Sequence, residues 1–278
     1  MNPCFTVIFL LTLALQASGS VRLTLPPTIY AVPGVEMNVH FANTVLIEAE
    51  RTGEISFRCE CPVGSATNDR WTLTATDKQT GRHPFKLSVL NQAGKTIQSA
   101  ESELVVSPRD QGRTTGIKML IVGDSLTHAT QYPNEIARLL SQPGNPKWQM
   151  LGTHKPSRAK EGVVHEGYGG WTWSRFRTKF EPSRPTPGKT NSSPFVTAGP
   201  EGKAKVDVRG YLDRHCQGET PDFIIVMLGI NDCFGAKPDS PATIDVRVDL
   251  MFREAALLLK EFRKAAPRAE IGICLTTP

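Results

Sequence analysis

The run Ile117-Lys-Met-Leu-Ile-Val122, closed by Gly123, constrains the fold of this chain more than any other stretch. It is short and almost wholly apolar, as a strand buried on both faces must be. It leads into a helical pattern with Tyr132, Ile136, Leu139 and Leu140 at 3.6-type spacing, which Pro143-Gly144 closes. Phe223 to Leu228 and Ile271 to Leu275 read as two further buried strands. Between them, Asp245 to Ala266 carries Val248, Met251, Phe252, Ala255, Leu258, Leu259 and Phe262 on one side of a helix that Pro267 ends. Strands alternating with helices require crossover connections, so the expectation from Ile117 onward is an α/β layer fold with a parallel sheet.

The residues ahead of that run obey a different pattern. From Val21 to Ser107 the chain is rich in Val, Thr, Ile and Leu in short runs, broken by Arg51-Thr52-Gly53, Gln79-Thr80-Gly81 and Gln92-Ala93-Gly94. Strands are expected over Val35 to Phe41, Thr44 to Ala49, Ile55 to Cys61, Trp71 to Asp77, Phe85 to Leu90 and Ser102 to Val106. In Trp71 to Thr76 apolar and polar residues alternate, the mark of a half-buried antiparallel strand. A small all-β, sandwich-like domain follows over 21–107, with the polar stretch Pro108 to Gly116 as linker. Arg175 to Asp222, with Pro182, Pro185, Pro187, Pro194 and Pro200, reads as an extended loop insertion; Asn191-Ser192-Ser193 within it is a glycosylation sequon.

Residues 1–19 have a leader pattern: an apolar stretch from Cys4 to Leu15, then Ala17 and Gly19 at the −3 and −1 positions of a cleavage site. Secretion or another extracytoplasmic location is expected, with an uncleaved signal anchor as the competing reading. Cleavage would leave Cys59, Cys61, Cys216, Cys233 and Cys274, an odd number that cannot pair completely. Cys59 and Cys61 would share a strand face without bridging each other, and no spacing suits zinc. With 39% hydrophobic and 21% charged residues the chain is neither disordered nor polytopic, so no integral membrane association is expected. A net charge of +5, spread along the sequence, gives no reason to expect nucleic-acid binding.

In open parallel sheets ligands gather at the carboxyl ends of the strands. Three motifs lie there. Gly123-Asp124-Ser125-Leu126-Thr127 follows the first buried strand and presents a serine at a helix start, as a nucleophile or simply as an N-cap. Gly167-Tyr168-Gly169-Gly170-Trp171-Thr172 follows the β-type run Gly162 to Glu166 and can aim a free N–H into a site or merely make a tight turn. Leu228-Gly229-Ile230-Asn231-Asp232 follows Phe223 to Leu228; its asparagine can offer an amide to an anion or cap the next turn.

Taken in order, GDSL, a Gly-Gly turn and GIND, each behind a strand, resemble the SGNH (GDSL) hydrolase family of esterases and lipases over Ile117 to Pro278. The resemblance implies a flavodoxin-like three-layer α/β/α domain acting on a small-molecule or carbohydrate ester, with no cofactor and no metal. It implies Ser125 as nucleophile, with the oxyanion held by the Ser125 and Gly170 backbone N–H groups and the Asn231 side-chain amide. Gly123, Asp124, Gly169 and Asp232 would support them, Asp124 by bracing its turn. The family supplies its base in a C-terminal Asp-x-x-His segment, which is not found after Asn231; His40, His83, His128, His154, His165 and His215 all precede Asp232. The expectation is therefore the first part of a longer esterase. A non-catalytic glycan- or surface-binding protein with a vestigial hydrolase domain is the alternative. A flavin or nucleotide binder fits less well, because neither a P-loop nor Gly-x-Gly-x-x-Gly follows the Ile117 strand.

Overall fold

A computed structural model describes residues 21–47, 53–181, 192–237 and 239–274. The leader at 1–19, the sequon residue Asn191 and Leu275, the last residue of the third expected strand, lie outside them. The chain divides into two compact units, 1–109 and 110–278.

The first unit holds β1 (Arg22–Leu23), β2 (Thr28–Ala31), β3 (Glu36–His40), β4 (Val45–Leu46), β5 (Ile55–Glu60), β6 (Ser65–Ala66), β7 (Arg70–Thr74), β8 (Gly81–Asn91) and β9 (Thr96–Val106). They form sheets in the orders β2-β9-β8-β5, β3-β7-β6 and β1-β4. Alternation decides the faces. Trp71 and Leu73 of β7, Phe85, Leu87 and Val89 of β8, and Leu104 and Val106 of β9 all enter one core. Trp71 meets Phe85 edge-on and donates its indole N–H to the Val63 carbonyl at 3.1 Å, so the largest buried ring has no unpaired donor. Strand β2, too short to show a period in sequence, pairs in parallel with β9. All five described cysteines are free thiols; burial pushes Cys59 up to about 12, with Cys61 and Glu60 adding to it.

The second unit runs β10 (Gly116–Gly123), α1 (Ser125–His128), α2 (Gln131–Leu140), β11 (Lys147–Leu151), β12 (Glu166–Gly167), α3 (Trp173–Thr178), β13 (Val196–Ala198), β14 (Ala204–Val206), α4 (Val208–His215), β15 (Phe223–Met227), α5 (Ile230–Cys233), α6 (Pro241–Ala265) and β16 (Glu270–Ile273). Its main sheet is parallel, ordered β11-β10-β15-β16. Successive side chains of β10 face opposite ways: Leu120 and Val122 join a cluster with α3, α4 and α6, whereas Met119 and Ile121 join Ala137 of α2 and Met150 of β11. The architecture is mixed α/β.

Three expectations change. The β-type run Gly162 to Glu166 contributes only β12, because β11 already occupies β10 from Gly116 to Leu120 and leaves Val122 and Gly123 as the free pairing positions. The stretch Arg175 to Asp222 is no continuous loop: it contains the end of α3, the antiparallel pair β13-β14, and α4. Asp207 caps α4 by accepting from the Gly210 N–H at 2.9 Å, and Val208, Tyr211 and Leu212 form its buried stripe. Helix α6 starts earlier than expected, at Pro241, and buries Ala255, Leu258, Phe262 and Ala265; Phe252 is 63% exposed. An apolar cavity of about 370 Å³ lies there between Trp173, Leu228, Met251 and Ile273. No helix among the described residues is long and apolar enough to cross a membrane.

Candidate active site

Sheet register assembles the candidate site. Gly123 at the end of β10 stands opposite Gly167 of β12 on one side and Met227 of β15 on the other. The turns leaving these three strands therefore start at one level of the carboxyl edge. Glycine is required at 123 by close approach: a Cβ there would sit 1.9 Å from Thr127 Oγ1 and 2.9 Å from the Met227 carbonyl oxygen. That contact lets α1 fold directly back onto the strand ends.

Ser125 is the first residue of α1 and is exposed. Asp124, 1% exposed, caps the helix by accepting from the Leu126 N–H at 2.9 Å through Oδ1. Its Oδ2 accepts from Asn231 Nδ2 at 3.3 Å, and the same amide nitrogen donates to the Trp171 carbonyl at 3.0 Å. Tyr168 N–H donates to the Gly123 carbonyl at 3.0 Å. All three motifs are thus joined by hydrogen bonds, with the Asn231 amide committed to the other two turns. Gly169 is exposed, and Gly170 takes φ +71°, a left-handed conformation that favours glycine. The Gly170 carbonyl accepts from Arg175 Nη1 at 2.7 Å. Asp232 accepts from the Trp173 N–H at 3.4 Å.

The charges here are partly desolvated. Burial raises Asp124 above the ordinary carboxylate value, against the hydrogen bond from Leu126. Burial also pushes Asp232 up to about 6, with Asp124 and Glu254 adding to it and backbone N–H groups opposing.

Two groups of side chains near these turns carry no sequence motif. Glu166, fully buried, accepts from the Thr153 N–H at 2.6 Å, the Thr153 hydroxyl at 3.2 Å, the Tyr211 hydroxyl at 2.7 Å and the Tyr168 hydroxyl. The signal for it was a carboxylate inside an otherwise buried run, a placement that demands donors. The second group is a set of histidines at α1: His128 on the helix itself, and His154 and His165 on the loop between β11 and β12, whose backbones bridge each other. His215 lies on α4 against Tyr211. Among the described residues no group of three His, Cys, Asp or Glu could hold a metal ion.

No family model and no curated protein matches the sequence. Among solved structures, a Clostridium thermocellum family 3 carbohydrate esterase is similar at 19% identity and TM-score 0.36, covering 57% of this chain and 61% of its own. A putative alpha-galactosidase/melibiase from Bacteroides fragilis is similar at 10% identity and TM-score 0.28, covering 92% of this chain and 53% of its own. Fibronectin(III)-like modules of Clostridium thermocellum CbhA are similar at 13% identity and TM-score 0.23, covering 32% of this chain and 97% of theirs. The chain spans less than two thirds of the esterase's length. At these scores the likenesses define neither its fold nor its chemistry.

Proposed function

We propose that the chain is a secreted serine ester hydrolase of the SGNH (GDSL) type. It has a leader over 1–19, a sandwich-like domain over 21–107, a linker over 108–116 and a flavodoxin-like three-layer domain over 117–278. Ser125 Oγ attacks the carbonyl carbon of a small-molecule or carbohydrate ester. Its proton passes to a histidine base and on to the departing alcohol, and water then cleaves the acyl-enzyme by the same route. The family carries that base in an Asp-x-x-His segment, which does not follow Asn231 in this sequence, so the residue that fills the role here is unassigned. The Ser125 and Gly170 N–H groups and the Asn231 amide hold the oxyanion, each such donor contributing about 10²–10³ in rate. Asn231 releases one of its present bonds to do so, since catalytic hydrogen bonds commonly tighten only in the complex. Gly123, Asp124, Gly169 and Asp232 hold the turns in place.

One observation supports the reading above all: Gly123 stands in register with both Gly167 and Met227, and the turns that follow are bonded to one another through Asn231 and Tyr168. A fluorophosphonate probe tests it. Covalent labelling of the folded wild type, absent in Ser125→Ala, is the expected result. A folded chain left unlabelled at Ser125 overturns the reading and leaves the non-catalytic binding protein in its place.

A further inference from the structure

We infer that His154 and His165 are positioning residues that clamp the helix carrying Ser125, and that taking up protons opens the clamp and disables the site. The inference rests on Ser125 being the nucleophile.

The clamp holds α1 and the corner that follows it at two points. At the first, His128 Nδ1 and His154 Nε2 are 2.9 Å apart. The ring planes are inclined by only 21° and the centroids are 5.1 Å apart, so the rings meet edge to edge with the nitrogens between them. One nitrogen donates and the other accepts. Such a bond holds one proton and survives protonation of one ring; only when both rings are cations do two donors face each other.

At the second point the tautomer is decided by the backbone. His165 Nδ1 accepts from the Gly167 N–H at 3.1 Å, so the ring proton is on Nε2, which donates to Thr130 Oγ1 at 3.2 Å. The Thr130 hydroxyl in turn donates to the His128 carbonyl at 2.8 Å. Thr130 is fully buried with φ +63°, a strained conformation for a β-branched residue that persists only where its surroundings hold it. His165 therefore secures the strained corner between α1 and α2 and, through Gly167, the strand end opposite Gly123. His154 and His165 are locked to each other by backbone bonds of 3.0 and 3.1 Å.

Burial, with the His128 charge second, lowers His154 below the ordinary imidazole value. Burial first, then His154 and His128, pushes His165 down to about 4. Native rings that bind protons less well than unfolded ones lose their contribution as the pH falls, so acid opens the clamp. Other ionisable groups on the elements packed against α1 are Glu166 and Tyr168 at β12, Asp124 at its cap, Lys118 of β10, which pairs with Glu219, and Tyr132 with the Glu135–Arg138 pair on α2.

The test follows the Ser125 to Ala129 backbone amides of the full chain by NMR from pH 8 to pH 4, alongside the rate of fluorophosphonate labelling. In the wild type the amides move with a histidine-like midpoint below the free imidazole value, and labelling falls with them. His154→Gln keeps a neutral partner near the Nε2 position and is expected to label like wild type at pH 7.5 with the acid loss displaced. His154→Ala is expected to label about 10- to 100-fold more slowly at pH 7.5, as a misplaced reacting group does. Amides that ignore pH in the wild type, or equal labelling of all three proteins across the range, overturn the clamp and leave the nucleophile assignment intact. Amides that titrate in a chain never labelled at any pH remove the esterase reading, and with it the claim that the clamp governs a nucleophile. If His154→Ala does not fold, the wild-type titration and His154→Gln still decide.

Discussion

Replacing Glu166 tests how the Gly-Gly turn is held. Its carboxylate has no exposure and receives four donors, from Thr153 twice, Tyr168 and Tyr211. These link the loop after β11, the turn after β12 and helix α4. In Glu166→Ala all four donors lose their acceptor. The three hydroxyls can rotate in search of another, but the Thr153 N–H cannot. At about 1–3 kcal/mol for each buried donor left unpaired, plus the cavity, the expected loss is about 4 kcal/mol or more, a large share of a typical domain's stability. Glu166→Gln behaves differently. Its oxygen can take the Oε1 position, keeping the Thr153 N–H and Tyr211, while its amide donates towards Thr153 and Tyr168 oxygens that can accept after rotation. The expected loss is about 1–2 kcal/mol. Burial raises the Glu166 pKa, so the wild type loses stability as the pH rises from the free-carboxylate value, whereas Gln does not. The gap between them is therefore widest in acid. Urea unfolding of the full chain, read on the transition of the 110–278 unit, should show the Ala midpoint lower by about 2 M. An Ala variant within about 1 kcal/mol of wild type, or a Gln variant as unstable as Ala, refutes the argument.

Two further outcomes follow from the strand ends. Asp232 binds its proton more tightly in the native chain, at about 6, than a free aspartate does, at about 3.9, so its contribution falls as the pH rises through that window. Asp232→Asn can still accept from Trp173 and is expected to melt near the wild type at pH 4 but above it at pH 8; parallel melting curves at both pH values would contradict this. Gly123→Ala drives a methyl into Thr127 and the Met227 carbonyl, at a cost of about 2–3 kcal/mol, or roughly 4–12 °C by calorimetry. An unchanged melting temperature would mean that α1 can lift off the strand ends freely.

Much of the scaffold is legible in short windows of sequence. The apolar run at 117–122, the helix with Tyr132, Ile136 and Leu140, and the alternation at Trp71, Leu73 and Ala75 each reveal their element, because burial repeats at the period of that element. Other elements have no such period. Strand β11, Lys147–Leu151, is paired through β10 and only half apolar, and β2 is four residues held in parallel by β9. The prolines after Arg175 hide α4, whose cap at Asp207 and stripe of Val208, Tyr211 and Leu212 were the available signs.

Sequence alone determined which turns carry Ser125, Gly170 and Asn231, since a glycine-bearing turn directly behind a buried strand is a local property. Tertiary structure decided what those residues touch. The Asn231 amide is held by Asp124 and Trp171, Glu166 gathers donors from three separate segments, and His154 and His165 reach α1 from a distant loop. The partner of a polar side chain depends on the register of strands far apart in the chain, here Gly123 against Gly167 and Met227, and no window of sequence contains that register.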